Sequence, residues 1–182
     1  MIPAGFMAKH ISIAPAWLKT DALTDIYSVS NCISTAFCDY IKHWRHNGFW
    51  FFDSAEAVRG VAAAEAVDLS VHKLFYYEVY EAQFDGERNL WEAFTPETSL
   101  RTHVAMPWQK QLEGYDVVTF SARTSPECSP LSCNGRARIL PVNRHCLFAS
   151  FEQARDQLER GAFDQCEPGP YRIFAVFSCA AP

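Results

Sequence analysis

Two stretches of similar grammar decide the fold: Trp50-Phe51-Phe52-Asp53-Ser54-Ala55-Glu56 and Cys146-Leu147-Phe148-Ala149-Ser150-Phe151-Glu152. In each, an apolar run of strand character meets a serine and a glutamate placed to open a helix. Aromatic strands follow, Leu74-Phe75-Tyr76-Tyr77 after the first and Tyr171-Arg172-Ile173-Phe174 after the second. Strand, helix and strand over ~30 residues is the size of a βαβ unit. Two such units predict an α+β protein: a ferredoxin-like sandwich, with helices packed on one face of a mainly antiparallel sheet. The match is one of pattern, and capping grammar alone could produce it.

Working outward, the helices have recognisable ends. Ser150 and Gln153 have capping-box spacing, Phe151, Ala154 and Leu158 form an apolar stripe, and Gly161 stands where a C-cap glycine belongs. Asp53 and Glu56 open a second helix from Ser54 to about Val67, whose small inner residues Ala57, Val58, Val61 and Ala62 allow close approach to a sheet. Ser34 caps a third, Thr35 to about His46, with Phe37, Tyr40, Ile41 and Trp44 at helical spacing and Asn47-Gly48 as the stop.

Strands are expected at Phe49–Phe52, Leu74–Phe84, Val117–Ala122, Cys146–Ala149 and Tyr171–Ser178, with a weaker one over Asp25–Ile33. Residues 85–115, interrupted by Asp85-Gly86, Pro96, Pro107 and Gly114, read as an irregular central insertion, and residues 1–24 as an N-terminal extension. No linker or low-complexity tract divides the chain, so residues 1–182 read as a single α+β domain.

With 49% apolar and 14% aromatic residues, the chain has ample material for a core. Its apolar runs are far shorter than the ~20 residues of a membrane helix, and its first residues lack the form of a signal peptide. Seven cysteines, an odd number, with no secretion signal point to reduced thiols in a cytoplasm. A net charge of −5 argues against nucleic acid as a partner. The charge is uneven, however. Between Val117 and Ala149, four arginines (Arg123, Arg136, Arg138, Arg144) face one acid, Glu127, so this acidic chain has one electropositive stretch.

That stretch contains Pro126-Glu127-Cys128-Ser129-Pro130-Leu131-Ser132-Cys133-Asn134-Gly135, then His145-Cys146. As a metal site it is short of ligands. Adjacent strand residues point to opposite faces, so His145 and Cys146 cannot both reach one ion, and a fourth ligand (His103 or Cys166) would have to come from afar. No metal and no cofactor is therefore expected. Thiol chemistry would use Cys128 or Cys133 as nucleophile with His145 or His103 as base, aided by the arginines and opposed by Glu127; against it, cysteines are mostly small buried hydrophobes. Anion binding would use Ser129, Ser132 and Asn134-Gly135, with Arg136 and Arg138 on one face of a strand, although any surface turn has this composition.

A further candidate is Leu74–Glu81, where Phe75, Tyr77 and Val79 suit a core face and Tyr76, Glu78 and Tyr80 the opposite one. Left open, the second face would suit a protein partner, a homodimer contact or a small ligand; a second layer from the insertion would close it. His43 and His46 share a helix flank with no third ligand apparent. The chain is thus expected to bind a protein partner or small anionic ligand through the sheet face or the cysteine loop. The alternative is a cysteine-dependent enzyme with a Cys/His pair.

Overall fold

The computed structural model describes residues 1–18, 20–39, 49–94, 103–120 and 128–180. Among these residues it is an α+β protein with a mainly antiparallel sheet and two α-helices. In chain order the strands are β1 (Ile2–His10), β2 (Ser12–Ile13), β3 (Asp25–Ile26), β4 (Thr35–Ala36), β5 (Lys73–Val79), β6 (Ala82–Asp85), β7 (Leu90–Ala93), β8 (Lys110–Thr119) and β9 (Tyr171–Cys179). The helices are α1 (Ala55–Ala64) and α2 (Phe151–Glu159). Seven strands form one sheet, ordered β4-β1-β5-β9-β6-β7 with β8 on the other side of β9; β2 and β3 pair separately.

The helix ends follow local chemistry. The Ser150 hydroxyl accepts from the Gln153 amide at 3.1 Å, and Gly161 adopts the left-handed φ of +70° that a C-terminal cap favours. In α1 it is Ser54, not Asp53, that accepts from the third residue onward, Ala57 N at 3.1 Å, and the helix ends at Ala64 rather than Val67. The helix expected from Thr35 does not begin there. Thr35 and Ala36 pair with His10 and Lys9, and Ser34 bonds the Ile26 carbonyl at 2.7 Å instead of capping. Residues 40–48, including His43 and His46, lie outside the described residues.

The segment expected as an N-terminal extension supplies β1, which runs antiparallel to β5 over its length and is buried at six consecutive positions. The expected strand Leu74–Phe84 is two, β5 and β6, both against β9. Phe49–Phe52 and Cys146–Ala149 contribute only single bridges, Phe6 to Phe52 and Tyr115 to Phe148. The insertion contributes β7 and the start of β8.

Strand order also departs from a ferredoxin-like sandwich. In a split βαβ unit another strand separates the two that a helix connects. Here β1 and β5 are adjacent and antiparallel, and so are β8 and β9.

Both faces of the sheet are covered, which explains why β1 and β5 are buried at consecutive rather than alternate residues. On the Tyr76 face, Phe151 of α2 packs on Tyr80 and Tyr115 at ring distances of 4.8 and 6.2 Å, and α1 borders a cleft lined by Phe6 and Leu74. The Phe75 face is covered by irregular chain: Tyr27 lies 5.0 Å from Phe75, and Phe51 lies 4.8 Å from Tyr77. That second cover carries the cysteines.

Candidate functional site: a three-thiol cluster on two buried charges

Among the charged side chains buried in the sheet, Lys9 on β1 and Asp116 on β8 have no exposed surface. An ion in an apolar interior is tolerated only when its hydrogen-bonding capacity is filled. The Lys9 ammonium donates to three consecutive carbonyls, Ser28 (2.7 Å), Val29 (2.8 Å) and Ser30 (2.6 Å). Asp116 accepts from the Val29 amide at 2.8 Å and the Ser28 hydroxyl at 3.4 Å through Oδ2, and from the Ser129 hydroxyl at 2.6 Å through Oδ1. Residues 28–30 are thus pinned between two strands, and the same carboxylate ties them to the turn beginning at Cys128.

That turn is stiff. Cys128 exchanges bonds with Thr119, its carbonyl accepting from the Thr119 amide (2.8 Å) and its amide donating to the hydroxyl (3.2 Å). The amides of Ser132 and Cys133 both donate to the Ser129 carbonyl, and those of Arg136 and Ala137 to Pro130 and Leu131. Gly135 permits the closure by taking a φ of +67°.

The two pinned segments bring together the sulfurs of Cys32, Cys128 and Cys133, all within 4.8 Å of one another. Cys128 is buried, Cys133 half-buried and Cys32 exposed. Around them lie the Ser30 hydroxyl (3.8 Å from Cys133 Sγ), the Ser132 hydroxyl (3.9 Å from the same sulfur) and the Asn134 carbonyl (3.7 Å from Cys128 Sγ). The Glu167 carboxylate is near enough to raise the Cys128 thiol further.

Of the three thiols, Cys32 is the one whose thiolate the cluster favours. Hydrogen bonds from the Cys128 and Cys133 thiols, with a smaller one from Ser30, draw Cys32 down to about 3 against its partial burial. Cys128 is driven well up, chiefly by its bonds to Cys133 and Cys32. For Cys133 the bond with Cys128 lowers the value, but the one with Cys32 and burial outweigh it and the thiol is raised.

The scaffold has its own pH dependence. Burial pushes Asp116 up to about 7, against the hydrogen bonds from Ser129 and Val29. Burial pulls Lys9 down to about 7, with Asp116 pushing back. A carboxyl whose folded value is raised stabilises the fold while protonated; that contribution is complete below pH ~4 and lost as pH rises through about 7. Asp116→Asn is therefore expected to gain on the wild type by as much as a few kcal/mol between pH 4 and pH 7. Urea denaturation at both pH values reads this, and an equal gap at the two would show that Asp116 titrates normally.

The other residues singled out from sequence are dispersed. Ser129 and Ser132 are buried parts of the scaffold, and the Ser132 and Gly135 amides donate within the turn, to the Ser129 and Ser132 carbonyls. Arg136 and Arg138 lie in a 3-10 turn rather than a strand, so they do not share a face. Arg136 donates to the Ala162 carbonyl, and Arg138 is exposed. His145 stacks on Tyr27 at 4.0 Å, with Nδ1 on Asp25 and Nε2 accepting from Arg144 at 3.1 Å, so its ring is occupied as a structural group. His103 is exposed; Cys146 is buried in the core against α2, with a positive φ rather than a strand conformation. Tyr76 is fully buried with its hydroxyl 3.1 Å from the Met106 sulfur, Glu78 pairs with Lys110, and Tyr80 lies under α2. They do not form an open platform.

The residues that complete the cluster, Cys32, Lys9, Asp116 and Glu167, were not picked out from sequence. Serines lie in both thiol segments, Ser28 and Ser30 before Cys32 and Ser129 and Ser132 between the other two cysteines, but serine is too common to mark a site.

Three thiols and a carboxylate are a donor set for a thiophilic cation. Thiolate bonds of ~2.3 Å around a tetrahedral ion place sulfurs ~3.8 Å apart. With every sulfur within 4.8 Å of the others, reaching that spacing takes a shift of no more than about 1 Å. No protein-family model, curated protein or solved structure matches the chain.

Proposed function

We propose that this protein is a binding domain for a thiophilic metal ion of the zinc class, held by Cys32, Cys128 and Cys133 and completed by the Glu167 carboxylate or a water. The observation that carries the reading is the mutual approach of three sulfurs to within 4.8 Å from two distant segments anchored on one carboxylate. Ligation would convert all three thiols to thiolates, and a divalent cation offsets the repulsion among them and adds folding free energy. The ligand is thus a cation rather than the small anion that the arginines suggested. A reducing cytoplasm suits it, since it keeps the thiols available.

The test is titration of the reduced protein with Cd²⁺ or Co²⁺, following thiolate-to-metal charge-transfer absorption. One equivalent is expected to saturate the band, and Cys32→Ser, at an exposed position that folding tolerates, is expected to weaken binding by more than about 100-fold, beyond the loss typical of outer-shell changes. A wild-type protein that develops no such band, or a Cys32→Ser variant that binds equally well, would sink the reading.

A further inference from the structure

The three thiols are not equivalent in access, and that difference implies regulation. Cys32 is exposed, whereas Cys128 is buried and Cys133 half-buried, yet both sheltered sulfurs lie within 4.8 Å of it. An oxidant arriving from solvent therefore meets Cys32 first, with a second thiol already close. A disulfide needs sulfurs at ~2.05 Å and Cβ atoms ~3.8 Å apart. Cys32 lies between anchors, the Ser30 carbonyl held by Lys9 and the Ile33 carbonyl held by the Ser12 hydroxyl at 2.9 Å. Only this short span has to shift to close the bond.

We infer that the cluster is a redox-controlled metal site: a hydroperoxide converts Cys32 and one thiol of the Cys128–Cys133 turn into a disulfide and expels the ion. This inference rests on the metal-binding reading for the released ion, though not for the disulfide. In the first step the Cys32 sulfur attacks one oxygen of the hydroperoxide ROOH; an S–O bond forms, the O–O bond breaks, and ROH leaves after taking a proton from solvent. The product is a sulfenic acid, Cys32–SOH. In the second step the neighbouring sulfur attacks the sulfenic sulfur; the S–S bond forms, the S–O bond breaks, and the hydroxyl departs as water with a proton. Two thiols lose two electrons in total, and one hydroperoxide becomes ROH and water. The metal keeps its oxidation state and leaves because two of its three sulfur ligands have been consumed. A dithiol restores the site by exchange.

The experiment uses the full chain, reduced, in two arms: loaded with one equivalent of Zn²⁺, and zinc-free. Each is treated with hydrogen peroxide, zinc release is followed with a chromogenic chelator, and disulfides are mapped by mass spectrometry of unreduced peptides. The expected result is full release of zinc in step with a species lighter by two hydrogens, whose peptides join Cys32 to Cys128 or Cys133, reversed by dithiothreitol. Cys32→Ser is expected to slow thiol loss from the turn by at least about tenfold, because the accessible sulfur is gone. A Cys128–Cys133 bond that leaves Cys32 reduced, disulfides between molecules, or sulfinic acid at Cys32 without a cross-link would each overturn the inference. The zinc-free arm separates the two claims. A protein that never binds zinc but forms the Cys32 cross-link refutes the metal reading alone, and one that binds zinc but forms no cross-link refutes the switch alone.

Discussion

Lys9→Met is expected to cost the fold roughly 4 kcal/mol or more, because it strands three buried carbonyls and leaves Asp116 without its nearby cation. Methionine matches lysine in length and apolar stem, so little packing is lost. What disappears is the donor to the Ser28, Val29 and Ser30 carbonyls, and each unsatisfied buried group costs about 1–3 kcal/mol. Domains are commonly stable by only about 5–15 kcal/mol. The variant should therefore melt far below the wild type or fail to accumulate in soluble form, and urea denaturation should show a lower midpoint. A loss below about 1 kcal/mol would mean that water reaches the three carbonyls and that the ammonium is dispensable.

Gly114→Ala is the second large effect. Gly114 sits at the bulge of β8 with φ +147°, and a Cβ there would stand 2.6 Å from the Phe148 carbonyl oxygen, 2.8 Å from Leu147 Cβ and 2.9 Å from Asn143 Nδ2. Two of these neighbours cannot retreat easily. The Phe148 carbonyl accepts from the Tyr115 amide at 2.9 Å, and Asn143 Nδ2 donates to the Glu113 carbonyl at 2.7 Å. Backbone strain and overpacking together should cost about 3 kcal/mol or more, read as a fall in melting temperature. Gly60→Ala is the contrasting control. Gly60 is inside α1 and a methyl group there meets nothing within 4 Å, so the same exchange should stabilise by about 0.5–1 kcal/mol. Equal effects at the two positions would contradict the close packing at the bulge.

What could be read from the residues was what is decided locally. The start of α2 is set by a hydroxyl and an amide three residues apart, and its stop by one glycine, so Ser150, Gln153 and Gly161 announce them. β1 is set by partners far along the chain. With Pro3 and Gly5 it violates the composition rules of a strand, and only β5 makes it one. The same force works in reverse at Thr35, where a good helical pattern yields to pairing with β1. The site divides likewise. The Cys128–Gly135 turn stood out because its prolines, cysteines and glycine are contiguous. Cys32 did not, since nothing local marks a cysteine whose partners come from another segment. Lys9 and Asp116 were hidden for a related reason: a single charge in an apolar run looks like the wet side of a strand until both faces prove to be covered.

β9 comes after every other strand in the chain, yet it is flanked by β8 on one side and by β5 and β6 on the other. During synthesis, the ribosome must therefore release Tyr171–Cys179 before the two halves of the sheet can join. Until then the edges of β5 and β8 are unpaired and their aromatic faces uncovered, the condition under which nascent chains aggregate. The thiol cluster has to wait as well, because Asp116 acquires its fixed place beside Lys9 only through the strand that arrives last.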